Sequence, residues 1–189
     1  MHRRRHVAGN ELGSIDVVHF NDVLHEINPD APHLDADAIA SAARWLASLP
    51  GGQAEATLRA RLGRIDELHR LLCDLDWQVD AAMHQRIGRL LDYVDDDGGM
   101  IPDRLPFVGQ LDDALLVELA WPALADEVED FRDFCRFRDE SGHLYGGHPT
   151  RDDWLRTRLE EGALWEQLHR VRDRRYSEYG PPREGLHVV

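Results

Sequence analysis

The sequence predicts an all-α protein, with helical hairpins packed around a Pro/Gly-rich crossover. Three observations carry that expectation. Apolar residues recur at steps of three and four over long stretches. Glycine and proline punctuate those stretches. Alternation of apolar and polar residues, the mark of a half-buried strand, never lasts beyond a few positions. The length of 189 residues suits one domain at 14–179, flanked by a basic tail at 1–13 and a second tail at 180–189.

Each helix has a local reason. The segment SIDVVHFNDVLHEINPD opens on an apolar piece, continues as a helix and stops near Asn28-Pro29. In HLDADAIASAARWLASLPGG, Asp35 or Asp37 can cap the start, and Ile39, Ala42, Ala43 and Leu46 share a face. Pro50-Gly51-Gly52 ends it. Leu58, Leu62, Ile65, Leu68, Leu72 and Leu75 form one stripe, and Val79, Met83, Ile87, Leu90, Leu91 and Val94 a second. No strong breaker separates them near Trp77, so the chain there is either a hairpin or one kinked helix. The hairpin is the expectation, because a 40-residue helix is too long for a small domain. Asp95 to Gly99 closes this region. A further helix runs from Leu111 to Arg138 with Asp112 and Asp113 in its first turn, and Pro122 divides or kinks it. The last helix starts at Thr150, with Leu155, Leu159, Ala163, Leu164 and Leu168 expected on its apolar face. Trp45, Trp77, Trp121, Trp154 and Trp165 fall on or beside apolar stripes, which makes most of them core residues and leaves one or two for a partner surface.

Composition excludes several functions. Acids outnumber bases 36 to 22, a formal charge of −14, which opposes binding to nucleic-acid phosphate or anionic lipid. The 22 basic residues are all arginine, so Schiff-base lysine chemistry and a Walker-type phosphate loop are absent. The serines lie in no nucleophile-elbow pattern. No apolar segment of signal-peptide length follows the N-terminal arginines, and the longest apolar run, Ala114 to Ala125, falls short of the ~20 residues that span a bilayer. A cytoplasmic location is therefore expected, with Cys73 and Cys135 as two buried thiols. No cofactor is expected. The expected partner is a protein, with a second copy of this chain compatible; nucleic acid and membrane are not expected.

The stretch YVDDDGGMIPDRLPFVGQLDD resembles the YkvA-like family, a bacterial domain without an assigned reaction. The resemblance rests on Tyr93, the triplet Ile101-Pro102-Asp103, Leu105-Pro106, Gly109 and the pair Asp112-Asp113 opening an apolar helix. It covers about residues 90–121, within a core of about 54–138. Where the family has a serine-proline turn this chain has Asp96 and Asp97, and Gly99 replaces the first aspartate of the family's Asp-Leu-Ile-Pro-Asp.

Two readings of the motif acids follow. In the first they are structural. Pro102 and Pro106 pin φ and force an extended crossover, and Asp103, Asp112 and Asp113 satisfy the amides that the turns leave open. In the second, Asp103, Asp112 and Asp113 hold a divalent cation, since hard oxygen ligands suit Mg²⁺ or Ca²⁺. The spacing is not that of an EF-hand, because setting Gly98 at the loop's glycine puts Arg104 where the bidentate glutamate belongs. Histidines at His19, His25, His143 and His148 form no zinc signature, and a Cys73-His69 or Cys73-His84 pair lacks an orienting third group. The reading that follows is a non-catalytic interaction or regulatory module. Its alternatives are a metal-dependent protein and, more weakly, peripheral membrane association through Ala114 to Leu124.

Overall fold

In a computed structural model the chain is all-α. The structure describes residues 6–7, 10–11, 13–96, 100–101, 109–145 and 148–178, and side chains over 13–96, 100–101, 109–141 and 148–171. The helices are α1 (Ser14–Ile27), α2 (Ala36–Ser48), α3 (Gln53–Cys73), α4 (Ala81–Asp95), α5 (Leu111–Ala120), α6 (Ala125–Tyr145) and α7 (Arg151–Glu178). Ahead of them, His6–Val7 and Asn10–Glu11 form a two-residue antiparallel ladder, pairing His6 with Glu11 and Val7 with Asn10. The backbone packs as two compact units, 1–133 and 134–189.

Caps set most of the boundaries. Asp35 is the N-cap of α2 and accepts the Ala38 N–H at 2.7 Å, which decides between Asp35 and Asp37. Gly52 precedes α3 with φ of 79°, a left-handed conformation that suits glycine. Asp80 caps α4 through the Met83 N–H at 2.8 Å. A reciprocal box opens α7, where the Thr150 N–H reaches Asp153 Oδ2 at 3.0 Å and the Asp153 N–H reaches Thr150 Oγ1 at 3.4 Å. The Thr150 backbone bond, first among the causes, holds the Asp153 carboxyl below its usual range.

The two stripes on either side of Trp77 are separate helices. Asp74 stops α3 and accepts the Asp76 N–H at 3.0 Å, and Gln78 takes a φ of 47° before Asp80 restarts the chain as α4. This turn corrects the reading of the stripe. Leu75, its last apolar member, is 85% exposed, and Trp77 fills the core instead at 0%. The Trp77 ring packs edge-on to Phe131 at 5.7 Å, and its Nε1–H donates to Glu127 Oε1 at 2.9 Å. A buried Trp removes roughly 150–250 Å² from water, about 4–6 kcal/mol at ~25 cal/mol per Å². Cys73, expected in the core, is exposed because it ends α3 beside this turn; Cys135 is half-buried, and no disulfide joins the two.

Helix α5 is the centre of the first unit. It packs against α1, α3 and α4, and Leu111, Asp112, Ala114, Leu116, Val117 and Ala120 are all buried. Its apolar character all round follows from having helices on several sides. The apolar run at Ala114 to Leu124 gives Ala114, Leu116, Val117, Ala120 and Leu124 to the core. No helix among the described residues is long and apolar enough to cross a membrane. Pro122 divides the expected Leu111–Arg138 helix, because a 3-10 turn at Trp121–Ala123 separates α5 from α6. The indole of Trp121 lies 4.5 Å from the Arg64 guanidinium, which also meets Glu118 at 3.1 Å.

Two buried asparagines stitch α1 to its surroundings. Asn21 donates to Val17 O at 2.7 Å and Leu34 O at 2.8 Å, and accepts the Leu34 N–H at 2.8 Å. Asn28 donates to Leu119 O of α5 at 2.8 Å. His25 adds a brace, its ring nitrogens 2.7 Å from Asn21 O and 3.1 Å from Ala31 O. Replacing Asn21 takes this partner from the Leu34 N–H and from the Leu34 and Val17 carbonyls. Asn21→Ala is expected to lower stability by about 2–3 kcal/mol, read as a fall in the urea midpoint at constant slope. An unchanged midpoint would contradict this role.

Candidate functional site

The motif residues meet where α4 ends and α5 begins. Tyr93 lies on the buried face that α4 already presents through Ile87 and Leu90, one helical step further on. Asp112 stands in the first turn of α5, where the helix dipole and open amides favour a carboxylate. Residues Met100 and Ile101 pass between them, both buried.

One carboxylate oxygen joins these three pieces. Asp112 Oδ2 accepts the Ile101 N–H at 3.0 Å and lies 3.4 Å from the Tyr93 hydroxyl, which donates to it. Asp112 is 1% exposed and Tyr93 8% exposed. Phe20 of α1 meets the Tyr93 ring edge-on at 5.9 Å, with His19 at 6.2 Å. Burial pushes the Tyr93 phenol well above its ordinary value, and the Asp112 charge adds to that rise. A backbone hydrogen bond from Met100 acts in the opposite direction. The phenol therefore remains a neutral donor to the carboxylate.

Beside this cluster lies a cavity of about 200 Å³, lined by Asp16, His19, Val23, Arg89, Asp92, Tyr93, Asp96 and Met100. Arg89 also donates to Glu26 at 2.7 Å, a bond that holds the Glu26 carboxyl below its usual range. The described lining offers carboxylates, an imidazole and a guanidinium. Among the described lining residues there is no serine, cysteine or threonine.

Of the motif residues, Tyr93, Ile101 and Asp112 converge. Gly109 is buried just ahead of α5, and Asp113 is half-buried in the first turn of α5. Pro102, Asp103 and Pro106 lie outside the described residues, as does the extended course expected for the crossover. Asp95 and Asp96 are exposed. Among the described residues no group of three His, Cys, Asp or Glu side chains could hold a metal ion. His25 lies against carbonyl oxygens and Glu26 against Arg89, while the side chain of His143 lies outside the described residues. His69, Cys73 and His84 are all exposed.

Sequence reasoning missed the grouping of Asp16, Arg89 and Asp92 around one cavity. They come from two helices far apart in the chain, and no spacing rule connects them. It also missed Asn28 as a tie between helices, since its only visible signal was the Asn28-Pro29 stop. No family model matches the chain, and neither curated proteins nor solved structures include a significant match.

Two expectations follow for the cluster. Asp112→Ala leaves the Ile101 N–H and the Tyr93 hydroxyl without their acceptor and should cost about 2–3 kcal/mol. Asp112→Asn keeps an acceptor oxygen and should cost clearly less; equal losses in urea denaturation would count against the acceptor role. For Tyr93 the folded phenol ionises above its unfolded value of about 10. Its contribution to stability is full below about pH 10 and is lost as pH rises toward the folded value. Above about pH 10 the wild type should lose up to ~1.4 kcal/mol per pH unit from this group. Tyr93→Phe should flatten that slope in denaturation series at rising pH.

Proposed function

We propose that this chain is a non-catalytic, cytoplasmic protein-interaction or regulatory module with a YkvA-like core over about residues 54–138. In this reading the motif acids build the fold. The observation that carries it is the position of Asp112, a buried carboxylate engaged by the Ile101 N–H and the Tyr93 hydroxyl. A carboxylate in that position is fitted to holding backbone in place and is poorly placed to bind a ligand from solvent. The formal charge of −14 favours a protein partner over a phosphate backbone. Exposed Trp45 and Trp165 are the kind of side chain that anchors such contacts.

The runner-up is a divalent-metal protein using Asp103, Asp112 and Asp113. Titration calorimetry with Mg²⁺, Ca²⁺, Mn²⁺ and Zn²⁺ separates the two. The interaction reading expects no saturable heat with any of the four. Saturable binding that disappears in Asp112→Asn, with the variant still folded by circular dichroism, would overturn it. So would substrate turnover that the same variant abolishes.

A further inference from the structure

The cavity beside Tyr93 has a lining that the interaction reading leaves unassigned. Its floor is buried and largely apolar, made by Val23 of α1, Tyr93 of α4 and Met100. Its rim is exposed and acidic, made by Asp16 of α1 and by Asp92 and Asp96 at the end of α4, with His19 beside them. At about 200 Å³ the cavity is smaller than the roughly 300–1,000 Å³ that holds a drug-sized ligand. It has room for one long side chain or a small head group, and none for a large cofactor.

Charge and apolar surface agree on what that group is. Three carboxylates line the cavity against one guanidinium, that of Arg89. Arg89 donates to Glu26 at 2.7 Å, and Asp92 attracts it as well, so its own charge is already matched. The described lining is therefore negative on balance. Behind the floor stands a further carboxylate, the buried Asp112, 3.4 Å from the Tyr93 hydroxyl. Salt screens a buried charge less than an exposed one, so Asp112 adds to the field in the cavity. The floor gives an independent reason. A long basic side chain lays its alkyl stem on apolar surface and is drawn by its charged head to an aromatic ring. Val23 and Met100 supply the surface and Tyr93 the ring, with the His19 ring 6.2 Å from it. An anion would meet the carboxylates, and a purely apolar group would take water from them without replacing it.

We infer that this cavity takes a basic side chain of a protein partner, a lysine or an arginine. Its stem lies on Val23 and Met100, and its head sits among Asp16, Asp92 and the Tyr93 ring. The formal charge of −14 steers a basic partner toward this surface. The inference rests on the interaction reading above and names the chemistry of its partner.

NMR of the full chain at a constant ionic strength of about 0.15 M tests the cavity. The probes are n-butylammonium, butyrate, and a lysine peptide flanked by glycines and blocked at both ends. n-Butylammonium should shift the Val23, Tyr93 and Met100 signals saturably, with a dissociation constant of about 1–100 mM. The peptide should bind at least as tightly, and butyrate should leave these signals in place. Asp92→Asn, at an exposed position, should weaken the amine about threefold, and Asp16→Asn combined with it about tenfold. Circular dichroism confirms that each variant is folded. Shifts that fail to saturate, equal binding of butyrate, or indifference to Asp92→Asn would overturn the cavity as a cation site. An amine that binds where the peptide does not would overturn the protein side chain as its occupant. Turnover dependent on Asp112 would remove the interaction reading, and the butylammonium titration would then decide the cavity on its own.

Discussion

Asp112 gave up water on folding, and that loss has to be balanced inside the protein. A carboxylate at 1% exposure is costly unless donors surround it. The Ile101 N–H and the Tyr93 hydroxyl are two such donors, and they come from different parts of the chain. One belongs to the passage that follows α4, the other to the last turn of α4, while the acceptor opens α5. A single oxygen therefore fixes how the chain leaves α4 and where α5 starts. Charge-assisted bonds of this type are among the stronger ones in proteins, and they gain further strength where water is excluded.

The position of α5 governs the rest of the first unit. The helix is packed by α1, α3 and α4, so its placement sets the planes on which the other helices settle. Asn28 ties the end of α1 to the Leu119 carbonyl on α5. Arg61 and Arg64 of α3 reach Glu118 of α5 at 3.5 and 3.1 Å. Arg89 of α4 meets Glu26 of α1, and Arg132 of α6 meets Glu67 of α3. These ion pairs sit at the surface and add little stability each. Their value is in register, since each pair fits only one alignment of the two helices that carry it.

Much of the fold was legible because helix signals are local. The three-four stripes, the cap at Asp35, the start at Thr150 and the break at Pro122 all act within one turn of chain. Trp77 was harder. Its stripe pointed to Leu75, but the turn at Asp74 rotates the following residues and exchanges one for the other. The candidate site was legible in part. Tyr93, Ile101 and Asp112 stood out as a motif, yet the spacing alone admitted both a metal ligand set and a brace for backbone. The cavity beside Tyr93 had no sequence signal, since Asp16 and Asp92 become neighbours only when α1 and α4 pack. On α7 the leucines read as a core face, but their register winds them to opposite sides of the helix.

The account stands on Asp112 as a holder of backbone. Its most direct test is amide NMR of the protein stripped of metal with EDTA and then supplied with Mn²⁺. The Ile101 amide should be strongly protected from hydrogen exchange in EDTA, and Mn²⁺ should leave the Ile101 and Tyr93 signals sharp. An Ile101 amide that exchanges freely without metal, together with selective paramagnetic broadening of both residues on adding Mn²⁺, would contradict it.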